Sequence, residues 1–253
     1  FEQHFLNASL RWDENQAFGD YVTGSIGWRF NWQHGLSLFA NFGNAFKAPS
    51  FNDLYAPLIW GGGNPNLKPE QSRSVETGLS GNHAWGQWQF RAYHTDIDNL
   101  IAWMPLDPND IYSVWKPTNV NQAQIDGLEV EIASEIWGWQ NKLNGSLLSP
   151  YDRTHHSQLI NRANRSLSYD VSRRLGAVDV GAVVLAQGER FGDEYNINRI
   201  NGFVTLDLRA AYHVDQHWTL SAKLNNVLDK HYQTVSNYNM ADRNFFFTLH
   251  YNH

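Results

Sequence analysis

The sequence contains no cysteine, which excludes a disulfide framework and any cysteine-ligated zinc site. No stretch approaches the ~18 consecutive apolar residues of a membrane-spanning helix, and the mean hydropathy is −0.51. Charged residues are also few, at 17% of 253 residues against roughly 25% in soluble domains. The net charge is −6 and the basic residues form no stripe, which argues against nucleic acid as a partner. These absences leave a polar chain with an aromatic content of 14%.

Hydrophobic residues recur at every second position, which predicts β-strands. In 203–213, for example, Val204 and Leu206 share one face, and Thr205 and Asp207 share the other. One apolar and one polar face are typical of strands, and no window shows a comparable helical period. The pattern predicts about twelve strands, near 4–13, 20–32, 36–46, 72–82, 86–103, 119–134, 139–149, 164–174, 177–187, 203–213, 217–228 and 243–251.

The connections between these strands alternate in length. Short turns are predicted at 33–35, 83–85, 135–138, 175–176 and 214–216. Long polar connections are predicted at 47–71, 104–118, 150–163, 188–202 and 229–242, with a shorter one at 14–19. Short turns at one end and long loops at the other are typical of an outer-membrane barrel. The sequence therefore predicts an all-β fold, an antiparallel up-and-down transmembrane β-barrel.

A soluble β-sandwich or lipocalin-like barrel is the alternative, because alternation alone does not separate the two cases. Strands of ~10 residues suit a tilted bilayer crossing, whereas soluble strands average ~5–6. The loop-length asymmetry is also unexpected for a Greek key. Aromatic residues cluster at strand ends, where interfacial girdles lie, namely Trp12, Trp28, Trp32, Trp85, Trp88, Trp137, Trp139, Tyr212, Trp218 and Tyr251. These three features favour the membrane barrel.

The face opposite the apolar one carries many charged residues, which we expect in hydrogen-bonded pairs inside the barrel. They are Arg11, Arg29, Glu76, Arg91, Glu129, Glu131, Asp170, Arg174, Asp207, Arg209 and Lys223. In a closed twelve-strand barrel these side chains would fill a narrow interior. In a wider barrel, such as a 22-strand transporter, they would line part of a plugged lumen.

Three segments carry a resemblance to a known family. They are 44–55 (Asn-Ala-Phe-Lys-Ala-Pro-Ser-Phe-Asn-Asp-Leu-Tyr), 64–72 (Asn-Pro-Asn-Leu-Lys-Pro-Glu-Gln-Ser) and 224–232 (Leu-Asn-Asn-Val-Leu-Asp-Lys-His-Tyr), with further matches at Glu76, Gly78, Asn121, Ala123, Ile125, Gly127, Glu129 and Arg243. In order and spacing, from about residue 20 to the end, they resemble the barrel of TonB-dependent outer-membrane receptors. The short turns and the 188–195 segment are most similar to the cobalamin-transporting branch of that family.

The resemblance implies that residues 1–253 form the C-terminal portion of a 22-strand receptor barrel. The plug domain and the TonB-contacting segment of such receptors would precede this portion. The implied location is the outer membrane of a Gram-negative bacterium. The implied partners are outer-membrane lipid, the plug domain or the remainder of the barrel, TonB through the N-terminal part, and a bulky ligand such as cobalamin, another corrinoid or a metal chelate. The resemblance implies no cofactor and no catalytic residue.

Two residues are candidates for ligand contact by the same resemblance. Arg162 lies where the 150–163 loop enters the descending strand, at a position where the family's paired-arginine motif reads Asn161-Arg162, and Tyr195 lies in the 188–202 loop. Flat aromatic rings supply contact area, and an arginine supplies orientation, for a large amphipathic ligand. The alternatives are a lumen salt bridge for Arg162 and a loop-packing role for Tyr195.

An enzyme is the runner-up function, since barrel phospholipases and proteases need histidine beside a polar orienting group. The candidates are His155 and His156 beside Asp152, and His231 beside Asp229, but none lies in a nucleophile motif. A passive porin is a further alternative that leaves the receptor motifs unexplained.

Four smaller expectations concern the motifs themselves. Glu70 and Glu76 are expected to order the preceding loop through backbone or arginine contacts. A phase change in the apolar face after Gly127 predicts a β-bulge there. The 107–110 segment lacks the spacing of a dedicated calcium loop. Receptors of this class usually end on an aromatic residue, and His253 departs from that pattern.

Overall fold

Twelve long strands form the molecule. The computed structural model describes residues 3–57, 59, 61–107, 110 and 112–252. The strands are β1 His4–Asp13, β2 Tyr21–Asn31, β3 Leu36–Lys47, β4 Glu70–His83, β5 Gly86–Pro105, β6 Trp115–Ile136, β7 Trp139–Asp152, β8 Arg165–Leu175, β9 Val178–Gln187, β10 Phe203–His213, β11 Trp218–Asn225 and β12 Asn244–Tyr251. In the described part of the chain, no helix has the length and apolar character needed to cross a membrane.

The strands form one antiparallel meander, in which strands adjacent in the sequence pair with each other. The predicted number and order of strands are confirmed. The prediction placed the end of β11 at residue 228, but the strand ends at Asn225. Asn226 turns the chain with a φ of 49°, and its side-chain amide donates to the carbonyl of Lys230 at 3.0 Å.

The sheet is open, because β1 pairs only with β2 and β12 only with β11 among the described strands. A closed twelve-strand barrel is therefore not formed. Unpaired backbone groups are not tolerated in the hydrocarbon region of a membrane, so both edges need neighbouring strands there. The sheet consequently has the character of one part of a larger barrel wall.

One face of the sheet is apolar, and it carries exposed large side chains on most strands. Leu10 is 82% exposed and Phe247 72%, and an apolar surface of this extent on a soluble protein would be unusual. Because strand residues alternate between faces, these side chains form an outward band that suits the lipid.

The other face is polar and carries ion pairs, as predicted. The guanidinium of Arg91 pairs with Glu129 and lies 3.7 Å from Glu76, and Arg209 lies 2.6 Å from Asp170. The first pair joins neighbouring strands, where opposite charges stabilise one another, and the second reaches across Gly181 of β9.

The predicted bulge at Gly127 is wrong. The β5–β6 register runs unbroken through Tyr93 and Gly127, and the glycine is needed because a Cβ there would lie 2.2 Å from the Tyr93 ring. The alternation of side chains between the two faces changes instead at Asn99 of β5, whose φ is 55°. Beyond it, Leu100 packs on the same inner side as Ile97.

Short elements organise the long connections. A 3₁₀ turn spans Gln33–Gly35, and α1 spans Phe51–Tyr55, where Ser50 and Asp53 form a reciprocal capping box. Five short strands lie in the loops, at Ser157–Gln158, Arg190–Phe191, Arg199–Ile200, Gln233–Val235 and Tyr238–Asn239.

Candidate functional site

The loop between β7 and β8 folds inward over the ends of β5 and β6. Its short strand Ser157–Gln158 pairs back onto β7. Leu159, which is 4% exposed, then packs with Leu100, Met104, Val120 and Ala123 in an apolar cluster. Burial of this cluster fixes the loop on the lumen side of the wall.

The loop between β9 and β10 is built around the buried carboxylate of Asp193. The side chain is 2% exposed and accepts hydrogen bonds from the backbone N–H groups of Tyr195 and Ile197, both at 3.0 Å, and of Asn198. A carboxylate that collects local backbone donors stabilises a tight loop in place of strand pairing. Asp193 therefore sets the backbone position of Tyr195.

These two loops are joined to each other. The side-chain amide of Asn196 accepts from the backbone N–H of Gln158 at 2.7 Å and donates to its carbonyl at 2.9 Å. The backbone N–H of Asn161 donates to the carbonyl of Phe191 at 2.8 Å. The Ser157 hydroxyl also donates to the carbonyl of Glu194, so four hydrogen bonds hold the loops as one unit.

The loop between β11 and β12 joins the same assembly. Asn198 donates to the hydroxyl of Ser236 at 2.7 Å, and the buried Arg190 donates to the carbonyl of Thr234 at 3.4 Å. Burial lowers the pKa of the Arg190 guanidinium from its usual high value. The long loops after β7, β9 and β11 therefore form one connected structure.

A cavity of about 440 Å³ lies between this assembly and the ends of β5 and β6. Its size falls in the range of small-molecule sites. Aromatic, sulfur-containing and charged side chains converge on it, namely Trp103, Met104, Trp115, Asp152, Arg162, Glu194 and Tyr238. Flat apolar surface with a few polar groups suits an amphipathic ligand.

Arg162, predicted from the sequence, lines this cavity. Its guanidinium is exposed and has no carboxylate within 4 Å in the described ranges, so the alternative of a lumen salt bridge is not formed. Its backbone carbonyl accepts from the side chain of Gln158 at 2.6 Å. The loop thus fixes the backbone and leaves the charged group available.

Tyr195 lies beside the cavity, and its neighbour Glu194 belongs to the lining. The ring is 54% exposed and meets His155 edge-on, with 5.7 Å between ring centroids. The charge of Glu194, together with a hydrogen bond to it, raises the pKa of the Tyr195 hydroxyl. The structure places Arg162 and Tyr195 in the same loop assembly, and their contact with a ligand stays a prediction.

The histidines considered for catalysis have structural partners. His155 lies 2.7 Å from the carboxylate of Asp152, which is 2% exposed and also accepts from the backbone N–H of Thr154. His231 pairs with Asp242 at 2.7 Å and not with Asp229. Within the described residues, no group of three or more histidine or acidic side chains is placed to hold a metal ion.

The cavity also contains residues that the sequence interpretation missed. Trp103 lies near the end of β5, and Trp115 begins β6 within the 104–118 stretch that the sequence pattern assigned to a loop. The indole N–H of Trp103 donates to Asp53 at 2.9 Å. Burial by itself would raise the pKa of the Asp53 carboxyl. Hydrogen bonds from Ser50 and Trp103 outweigh burial, so the pKa lies below its ordinary value.

The 44–72 motifs make architectural contacts, and the expected loop-ordering role is confirmed for Glu70, whereas Glu76 lies within β4 and contacts Asn41 and Arg91. Glu70 accepts from the backbone N–H of Ile101 at 2.9 Å and from the Lys47 ammonium at 3.0 Å. Asn64 donates to the carbonyl of Pro117 at 3.1 Å. These contacts tie the loop between β3 and β4 to the extended ends of β5 and β6. The expectations on His253 and on part of the 107–110 segment lie outside the described residues.

Solved structures share the fold of this sheet. The chain superposes on the copper transporter OprC with a TM-score of 0.79 at 16% identity, covering 99% of this chain and 47% of that one. It superposes on the siderophore receptor PiuA from Acinetobacter baumannii with a TM-score of 0.80 at 17% identity, covering 99% and 41%. At these identities the likeness concerns the fold.

Sequence comparison identifies the family. Residues 1–227 match the family described as TonB dependent receptor-like, beta-barrel. The chain is 32% identical over 246 residues to the vitamin B12 transporter BtuB of Photobacterium profundum, covering 97% of this chain and 40% of that protein. It is also 32% identical over 249 residues to BtuB of Vibrio vulnificus strain YJ016, covering 96% and 39%. The chain spans about 40% of the length of these relatives.

The family resolves the alternatives left open by the sequence. Its members are outer-membrane receptors and not enzymes, and the free sheet edges agree with a barrel of more than twelve strands. The chain belongs to the TonB-dependent receptors, and it forms the C-terminal part of their outer-membrane β-barrel.

Proposed function

We propose that the receptor takes up a scarce, bulky ligand by TonB-dependent active transport, and that this ligand is cobalamin or a related corrinoid. The similarity to two proteins named vitamin B12 transporter supports the choice of ligand. The barrel supplies no bond chemistry in this proposal. Its loops capture the ligand, and energy passed by TonB to a plug domain releases it inward.

The cavity beneath the joined loops carries the proposal. It lies at the end of the strands where long loops are found, which in outer-membrane barrels is the extracellular end. The Trp103 and Trp115 rings offer flat surface, and Arg162 offers a charged donor that no carboxylate of the described residues pairs within 4 Å. A ligand that carries both apolar rings and polar substituents would use both kinds of surface.

Arg162 and Tyr195 are the proposed ligand contacts. Arg162 would donate to an acceptor group of the ligand within the cavity. Tyr195 would add stacking or edge contact from beside the cavity, because its backbone is held by Asp193 while half of the side chain is exposed.

Cobalamin affinity of the purified receptor tests these contacts. Truncation of an aromatic or arginine anchor typically weakens binding by about tenfold to a hundredfold. Tyr195→Ala and Arg162→Gln should each fall in this range when titrated with cobalamin. Barrel assembly, measured as heat-modifiable migration in gels, should be unchanged.

Matched control variants distinguish the loss of a ligand contact from a general effect of substitution in the loops. Tyr112→Ala removes a tyrosine that is 84% exposed and does not line the cavity. Arg153→Gln removes an arginine of the same loop, whose guanidinium instead pairs with Asp96 at 3.1 Å. Both controls should bind cobalamin as the wild type does. Wild-type affinity in Tyr195→Ala and Arg162→Gln would remove these residues from the site.

Transport itself is tested in cells. Uptake of labelled cobalamin should stop when TonB is deleted or the proton gradient is dissipated, whereas surface binding should persist. Absence of cobalamin binding by the unmutated receptor would contradict the ligand and leave the receptor family unaffected.

A further inference from the structure

A groove of about 990 Å³ lies on the outward face, near the loop ends of β6 to β10. One hydrogen-bonded row of residues forms its floor across six strands, from β5 to β10. In order they are Phe90, Val130, Gly145, Leu167, Ala186 and Val204. Gly145 and Ala186 are much smaller than their neighbours, so the apolar surface dips between larger side chains.

Three cationic side chains border the end of the groove that is nearest the loops. Arg165 lies at the start of β8, opposite Leu147 and two residue pairs beyond the floor row. Its aliphatic stem crosses Gly188, where a Cβ would lie 2.6 Å from the Arg165 Cγ. Arg199 and Lys230 line the same end from the loops that follow β9 and β11.

The charge at this end is positive. Arg199 pairs with Glu189, but Arg165 and Lys230 have no carboxylate within 4 Å in the part of the chain that the structure describes. Glu129 also borders the groove, and its carboxylate pairs with Arg91 on the opposite face of the sheet. Two cations are therefore left uncompensated directly beyond an apolar floor.

We propose that this groove binds the lipid A portion of lipopolysaccharide, a phosphorylated glycolipid with several saturated chains. An acyl chain would lie along the floor near Gly145 and Ala186, and a phosphate would contact Arg165 and Lys230. The outward face and the loop end place the groove in the outer leaflet, where this lipid is found. Cations at a membrane surface attract anionic headgroups, and their long stems stay in the apolar layer.

The test measures lipid A that remains with the receptor when it is extracted from outer membranes. The phosphate-contact variant is the double substitution Arg165→Gln with Lys230→Gln. Loss of a surface cation weakens attraction to an anionic lipid by about fivefold, so the double variant should retain roughly twentyfold less. The control Arg29→Gln removes an inner-face arginine that does not border the groove, and it should retain the wild-type amount.

A second pair of variants tests the floor independently of charge. Ala186→Leu fills the groove, whereas Ala182→Leu adds the same side chain four residues away on the same face of β9, outside the groove lining. Only Ala186→Leu should reduce lipid A retention. Heat-modifiable migration in gels confirms that each variant assembles.

Reconstitution decides which lipid the groove prefers. The purified receptor should bind vesicles that contain lipid A more tightly than vesicles of phosphatidylglycerol at equal negative charge, and the double variant should lose this preference. Equal binding to both vesicles would overturn the proposal, as would wild-type retention of lipid A in the double variant or in Ala186→Leu.

Discussion

Replacement of Asp193 by asparagine should release the loop between β9 and β10 while leaving the barrel intact. One carboxylate oxygen accepts from the backbone N–H groups of Tyr195 and Ile197, and the other accepts from Asn198. Asparagine keeps the shape and one acceptor oxygen, so it can preserve two of these bonds. Its amide N–H₂ then faces the backbone N–H of Asn198.

The size of the effect follows from the lost bond. A hydrogen bond to a charged group contributes ~1.5–3 kcal/mol, and a buried donor without an acceptor adds a further penalty. We expect Asp193→Asn to lower the local opening free energy by about 3 kcal/mol, which corresponds to roughly hundredfold faster amide exchange. Cobalamin affinity should fall as well, because Tyr195 loses its fixed backbone.

Hydrogen–deuterium exchange followed by mass spectrometry measures this change. Peptides that cover 193–198 should exchange faster, and peptides from β9 and β10 should not. The control is Asp215→Asn, which removes one exposed carboxylate charge but keeps the oxygen that accepts from His217 and Trp218, both at 2.8 Å, and its 193–198 peptides should exchange as in the wild type. Unchanged exchange at Tyr195, Ile197 and Asn198 in Asp193→Asn would refute the account of this loop.

Two further predictions concern packing and pH. Gly127→Ala should destabilise the barrel by about 1–3 kcal/mol, because the new Cβ meets the Tyr93 ring, whereas Gly43→Ala, with its nearest contact at 3.4 Å, should change the heat-modification midpoint little. Equal midpoints for the two variants would contradict the packing argument. Hydrogen bonds from the backbone N–H groups of His217 and Trp218 lower the pKa of Asp215, so this turn is fully stabilised above about pH 4 and loosens as the pH falls through the lowered value. Exchange at Trp218 should rise in that range, and a pH-independent rate would exclude this role for Asp215.

The sequence by itself determined the strands, their order and their faces. A period of two is a local property, and it assigned Val204 to the outward face and Asp207 to the inward one without reference to any distant residue. The alternation of short and long connections determined the meander in the same way. The motifs of 44–55 and 224–232 were sufficient to recognise the family, because each is a contiguous segment that can be read without knowing the fold.

The tertiary structure alone decided where distant residues meet. The glycine at 127 is explained by the Tyr93 ring across the strand pair, and the phase change at Asn99 by a backbone angle that the alternation does not encode. Arg162 could have paired with a lumen carboxylate, and only the fold of the loop left it without one. The outward groove depends on a register that brings Gly145 and Ala186 to opposite sides of Leu167. Such contacts join residues far apart in the chain, so their geometry is set by the register of the whole sheet and not by local pattern.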